Sequence, residues 1–234
     1  MLTGNSSLPW RRRTNICRCI AMEEEAPDNP YGFLPVMTRD EIYALPLRQF
    51  GGDIRLVDSL SGLERNLTFF SANKLVGFDT ESKPSFKKGQ RNKVALIQLS
   101  NSQTAILVRL NKLGMHEELI QFLTNFQVIK IGVALKDDLN GLKQLKSFTP
   151  AGFIDLQTYV KEFGIAANSL RTLAAIVLGF RISKSQQVTN WDAQKLSDSQ
   201  QVYAATDAWV CYEIYQKLEK LKSELSANIR NSCR

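Results

Sequence analysis

The chain has 234 residues, a formal net charge of +7 and 44% hydrophobic residues, the composition of a soluble globular protein with room for one domain of ordinary size. No apolar run reaches the roughly 18 residues that a membrane helix needs, and the N-terminus lacks the apolar stretch of a secretory signal. The single His and the four Cys, none in a C-x-x-C pair, leave too few ligands for a zinc site and argue against a disulfide framework.

The charge is unevenly placed. Residues 1–21 carry four Arg and no acid, and residues 22–36 carry four acids and no base, so the whole excess of +7 belongs to 37–234. A basic folded part leans towards a polyanionic partner. Residues 1–36 show no periodic apolar face and read as a disordered tail or a mis-called start, with Met22 or Met37 as the real one. The Arg-rich, acid-free first segment also has the look of an organelle transit peptide. The expected domain spans 37–225, with 226–234 as a C-terminal tail. Free cysteines fit a reducing, cytoplasmic compartment.

Thr38-Arg39-Asp40-Glu41 is a capping-box pattern opening a short helix. Ile54 to Val57 reads as a strand, and Leu60, Leu63, Leu67 and Phe70 have helical spacing. Strand-like runs follow at Leu75 to Asp79, Val94 to Leu99 and Ala105 to Val108, the first two separated by a basic loop, Ser82 to Lys93. His116 stands at the exposed start of a helix around Glu117–Leu123, so any Ser-His-Asp or Cys-His machinery would have to run through a surface residue. A buried strand at Val128 to Ile131 precedes a helix from about Lys136 to Leu145 and a short strand, Phe153 to Asp155. Helices are expected over Leu156–Phe163, over Ser169–Leu178 with Gly179 as the stop, and from Ser197 to about Leu221, where Ser197-x-x-Gln200 is a second capping box. This order argues an α/β fold, a mixed β-sheet flanked by α-helices.

Three acidic elements stand out. In Phe78-Asp79-Thr80-Glu81, strand alternation puts Asp79 and Glu81 on one face, about 7 Å apart; such a pair repels unless a cation neutralises it, and hard oxygens suit Mg²⁺ or Mn²⁺. The alternative is an exposed strand end with solvated acids. In Gly132-Val133-Ala134-Leu135-Lys136-Asp137-Asp138, successive helical positions diverge by about 100°, so one of the two aspartates faces any given site; both could equally be dipole partners of a helix start. In Tyr203-Ala204-Ala205-Thr206-Asp207, Tyr203 and Asp207 share one helix face among small apolar residues, where a carboxylate is costly without a partner.

Taken in order, these three elements resemble the motifs of the DEDDy 3′-5′ exonucleases, which include ribonuclease D, the proofreading domains of DNA polymerases and the Werner exonuclease domain. The resemblance runs from about Val57 to Tyr215, and Ser169-Leu170, Lys184-Ser185 and Asn190-Trp191 also match the ribonuclease D pattern. It implies a ribonuclease H-like fold and selects Asp138 over Asp137. It further implies two divalent cations, Mg²⁺ or Mn²⁺, with Asp79 bridging them, Glu81 and Asp207 completing the nucleophile-side site, and Asp138 holding the second ion. Tyr203 would orient the attacking water. The implied partner is the single-stranded 3′ end of DNA or RNA, with release of nucleoside 5′-monophosphates. Lys83, Phe86, Lys87, Lys88 and Arg91 of the loop are the expected phosphate and base contacts, with Lys184 and Trp191 at the substrate or supporting the site. A catalytically silent nucleic-acid-binding module of the same fold is the alternative, though such a module usually has a ligand missing and here all four acids and the tyrosine are present.

Overall fold

The computed structural model describes residues 29–84 and 92–232. Six strands form one mixed sheet in the order β1-β4-β3-β2-β5-β6. They are β1 (Asp53–Val57), β2 (Leu75–Ser82), β3 (Val94–Ser100), β4 (Thr104–Arg109), β5 (Ile129–Gly132) and β6 (Phe153–Asp155). β2, β3 and β4 pair antiparallel, while β1 on β4, β5 on β2 and β6 on β5 are parallel. Every residue of β3 and β4 is buried, which explains why these strands read as continuous apolar runs: both sheet faces are covered by helices.

One face carries α2 (Leu60–Asn73), α4 (Glu117–Thr124) and α5 (Leu135–Leu145), and the short α3 (Leu110–Leu113) leads from β4 towards α4. Leu63, Leu67 and Phe70 of α2 and Leu119, Phe122 and Leu123 of α4 pack there against Val76, Phe78, Ile97 and Ile106. The other face carries α8 (Asp198–Ser232), whose Ala204, Ala205 and Ala208 are fully buried. Small residues let α8 lie close to the strands. The closest approach is at Gly77, where an added Cβ would sit 1.8 Å from the Ala208 carbonyl oxygen. Alternation along β2 therefore sends Val76 and Phe78 to the α2 side, and Gly77, Asp79 and Glu81 to the α8 side.

Both capping boxes form. At α1 (Arg39–Ala44) the Glu41 amide donates to Thr38 Oγ1 and the Thr38 amide to Glu41 Oε2. At α8 the Gln200 amide donates to Ser197 Oγ at 3.2 Å and the Ser197 amide to Gln200 Oε1 at 3.0 Å. The stretch expected as one helix over Ser169–Leu178 is a short α7 (Leu170–Leu173) followed by a π-helical turn, Ala174–Leu178, stopped by Gly179 at φ 76°. Leu156–Phe163 likewise divides into α6 (Leu156–Tyr159) and a 3₁₀ turn.

Two boundaries differ from the sequence reading. Helix α8 does not stop near Leu221 but continues to Ser232, so 226–232 is helix and not tail. Residues 29–36, expected within a tail, pack on the fold: Asn29 Nδ2 donates to the Phe163 carbonyl at 2.9 Å, the Ala166 amide donates to the Pro35 carbonyl at 2.8 Å, and the Tyr31 ring lies 4.5 Å from that of Phe163. Among the described residues no helix is long and apolar enough to cross a membrane.

Candidate metal and active site

The end of β2 supplies Asp79 and Glu81, and α8, lying across it, supplies Asp207. One carboxylate oxygen from each of the three lies within 4.8 Å of the others. Burial of these groups is the largest influence on their protonation. It pushes Asp79 well above the usual carboxylate range, Glu81 up to about 9 and Asp207 up to about 7, with repulsion from neighbouring carboxylates adding to the shifts of Asp79 and Glu81. Among the described residues no Lys or Arg forms an ion pair with any of them. Three desolvated, mutually repelling carboxylates with only oxygen donors fit a hard divalent cation, which supplies the missing positive charge.

Asp138 comes from α5 on the opposite side of the sheet and stands outside that trio. Thr80, which alternation turns towards α5, donates from Oγ1 to Asp138 Oδ1 at 2.5 Å. Burial raises Asp138 to about 6, opposed by this hydrogen bond. The turn before α5 is held by Asp155, whose Oδ1 accepts from the Ala134 amide at 3.1 Å and whose Oδ2 accepts from the Leu135 amide at 3.0 Å. Asp155 also caps α6 through the Gln157 amide. Ala134 sits in the left-handed region at φ 58°, ψ 37°, where an L-residue is strained and Gly would not be.

Tyr203 lies one turn before Asp207 on α8, and both face the same cavity. Burial first, then the charges of Asp207, Glu81 and Asp79, raise its phenol far above the ordinary value. The ring is backed by Trp191, with centroids 5.9 Å apart. Trp191 is fully buried, so of the two places expected for it, at the substrate or supporting the site, its packing against Tyr203 fits the second. Its segment is tied to the end of β4 by Arg109 Nη2, which donates to the Ala193 carbonyl, and by Asn111 Nδ2, which donates to Asp192 Oδ1 at 2.9 Å.

The trio and Tyr203 open into a cavity of about 280 Å³ that also exposes Ser169, Arg171, Ser183 and Lys184. Lys184, expected at the substrate or supporting the site, is among the residues that line this cavity. On the other side of Glu81 a second hollow of about 440 Å³ is lined by Lys83, Asp137, Asp138 and Asn92. Asn92 Nδ2 holds the base of the basic loop through the Lys83 and Pro84 carbonyls. Phe86, Lys87, Lys88 and Arg91 lie outside the described residues. His116 is on the surface beside Glu118, 3.5 Å away, far from this chemistry.

Sequence reading missed Thr80, Asp155 as a brace for the α5 turn, and Gln98. The Gln98 side chain is fully buried, stands opposite Asp79 across the β2–β3 ladder, and neither its Oε1 nor its Nε2 has a partner. Its signal, a Gln inside an apolar strand, is visible in Val94 to Leu99, but its neighbour is not.

A mixed sheet on which carboxylates from a strand end and the last helix meet is the arrangement of the ribonuclease H-like fold. A family profile described as 3′-5′ exonuclease matches residues 54–222, and the chain belongs to the DEDDy 3′-5′ exonuclease family. It is 32% identical over 187 residues to the bifunctional 3′-5′ exonuclease/ATP-dependent helicase WRN of Mus musculus, covering 76% of this chain and 13% of that protein. It is 26% identical to the exonuclease mut-7 homolog of Homo sapiens, covering 84% of this chain and 26% of that protein. The chain thus spans a small part of these relatives. The Nibbler EXO domain of Aedes aegypti superimposes with a TM-score of 0.67 at 25% identity, covering 79% of this chain and 98% of that one. Escherichia coli RNase D shares the fold, with a TM-score of 0.64 at 22% identity over 74% of this chain and 46% of that one.

Proposed function

We propose that the chain is a metal-dependent 3′-5′ exonuclease that hydrolyses the terminal phosphodiester of single-stranded RNA or DNA and releases nucleoside 5′-monophosphates. The observation that carries this reading is the trio of carboxylates, half-buried Asp79 and Glu81 and buried Asp207, gathered within 4.8 Å beside Tyr203. Two divalent cations, Mg²⁺ or Mn²⁺, held by the trio with Asp138 on the outer side, would supply Lewis-acid charge and make water nucleophilic near neutral pH.

The chain's own groups then divide the remaining work. The Tyr203 phenol, whose ordinary pKa lies near 10, keeps its proton near neutral pH, so it orients the attacking water as a hydrogen-bonding group and does not act as the base. Trp191 fixes the plane of that ring. Water attacks phosphorus, the bond to the 3′-oxygen breaks, and the proton balance closes on that oxygen. Lys184, at the cavity edge, offers a cation to the phosphate. Thr80 and Asp155 hold Asp138 in place through its hydrogen bond and its turn.

The test is a time course on 3′- and 5′-labelled single-stranded DNA and RNA of matched sequence, in Mg²⁺, in Mn²⁺ and in EDTA, alongside Asp79→Ala. Stepwise shortening from the 3′ end that needs metal and vanishes in the variant supports the reading. Intact binding with no cleavage in any metal rejects it in favour of the silent binding module.

A further inference from the structure

Beside the carboxylate cavity, one cluster of positive charge has no counterpart. The ring of Tyr43 on α1 has three guanidinium carbons around it: Arg171 at 4.5 Å from the centroid, Arg39 at 5.3 Å and Arg181 at 5.9 Å. They arrive from three segments: Arg39 from α1, Arg171 from α7, and Arg181 from the bridge it forms with Leu47. Among the described residues none of the three makes an ion pair with a carboxylate. Arg39 Nη2 donates to the Tyr43 hydroxyl at 3.4 Å and Arg181 Nε to the Leu45 carbonyl at 3.1 Å, while Arg171 Nε is buried with no partner.

Three like charges on one exposed ring repel one another, and contact with the ring face offsets little of that at a solvated site. Hydrogen bonding from Arg39 and Arg171 first, and then the charge of both, pulls the Tyr43 phenol down to about 8. Arg171 also lines the carboxylate cavity, so the cluster starts at the cavity wall and continues outwards to α1. Planar guanidinium forks match the paired oxygens of a phosphate, and a chain of phosphates one nucleotide apart meets several forks at once.

We propose that Arg39, Arg171 and Arg181 form a phosphate-binding platform on which the backbone of the single-stranded substrate rests as it leaves the carboxylate cavity. This rests on the exonuclease reading above and names the surface that holds the strand beyond its terminal nucleotide.

The test is equilibrium binding of a fluorescent oligothymidylate to the full chain in EDTA, over about 50 to 200 mM salt. Wild type is compared with Arg39→Gln, Arg181→Gln and the double variant. Every phosphate of a single strand that is no longer neutralised lowers the slope of log K against log salt by about 0.7, so the double variant should show a slope shallower by about 1.4 and a low-salt affinity weaker by about tenfold or more. Thymidine 5′-monophosphate, which has no extended backbone, should bind the double variant as it binds the wild type. An unchanged slope overturns the platform, and so does an equal loss of monophosphate affinity, which would put the arginines at the terminal nucleotide. If the double variant unfolds, exposed Arg39→Gln carries the same test with half the slope change. Cleavage is read separately: a wild type that binds and does not cut in Mg²⁺ or Mn²⁺, yet shows the slope difference, supports the platform while rejecting the exonuclease reading.

Discussion

Asp79, Glu81 and Asp207 each hold their proton more tightly in the fold than in the open chain, because burial removes water and, for Asp79 and Glu81, neighbouring carboxylates crowd the same space. In the unfolded chain such groups release their protons near pH 4. Between there and their folded values, about 6 for Asp138, about 7 for Asp207 and about 9 for Glu81, the folded state binds more protons than the unfolded one. Stability is therefore greatest below the unfolded value and falls as pH rises through the folded ones. Thermal unfolding in EDTA should show Tm dropping from pH 5 to pH 9, and added Mn²⁺ should raise Tm more at the upper end, where the cation need not displace protons. A flat Tm in EDTA would mean that the trio is better solvated than its burial suggests. Gln98 gives a second handle at this scale. Its amide is buried opposite Asp79 with both polar atoms unpaired, and each unpaired atom costs about 1–3 kcal/mol. Gln98→Leu should raise the metal-free Tm, because it removes two buried polar atoms that have no partner. A lower Tm in EDTA would show that the amide already has a structural partner.

The contact of β2 with α8 brings the two halves of the trio together, and Gly77 sets its distance. A Cβ there meets the Ala208 carbonyl oxygen at 1.8 Å and the Tyr212 amide nitrogen at 3.0 Å, backbone atoms that cannot rotate away. Gly77→Ala must push α8 outwards, carrying Asp207 and Tyr203 from Asp79. We expect a loss of about 3 kcal/mol, the upper part of the range for overpacking, together with a reduced Tm response to Mn²⁺; urea unfolding with and without metal reads both. A fully stable variant with normal metal response would show that the helix has slack. Much of this element-scale arrangement is legible in the sequence. Apolar runs mark all six strands, alternation puts Asp79 and Glu81 on one face, and helical spacing pairs Tyr203 with Asp207. What stays hidden depends on cross-strand register or on contacts between distant segments. Gln98 has meaning only opposite Asp79, Asp155 reads as a simple cap until its two oxygens meet the Ala134 and Leu135 amides, and Trp191 stays open between a substrate contact and a support until its burial is seen. The end of α8 is hidden because apolar spacing thins beyond Leu221, whereas helix propensity and the Lys220–Glu224 pair carry the helix on.

At the scale of the whole molecule, the question is where the cooperative unit begins. Charge and hydropathy set the boundary at Met37, yet residues 29–36 close one side of the cluster formed by Val160, Phe163, Leu173 and Val177, with Tyr31 and Phe33 packed against it. Asn29 bridges the Phe33 and Phe163 carbonyls, and Pro35 accepts from Ala166. This packing backs the short stretch from Phe163 to Leu173, which carries Ser169 and Arg171 to the carboxylate cavity. Two partly buried aromatic rings and their hydrogen bonds should contribute about 2–4 kcal/mol together. Deleting 1–36 should therefore lower the urea midpoint relative to deleting 1–28, a comparison that isolates 29–36. If the segment also holds Arg171 in place, the shorter chain should bind oligothymidylate with a shallower salt slope while its Tm response to Mn²⁺ is kept, because Asp79, Glu81 and Asp207 stand on β2 and α8. Equal midpoints would put the start of the cooperative unit at Met37 after all. A lost metal response would show instead that the α7 region and the trio unfold as one body.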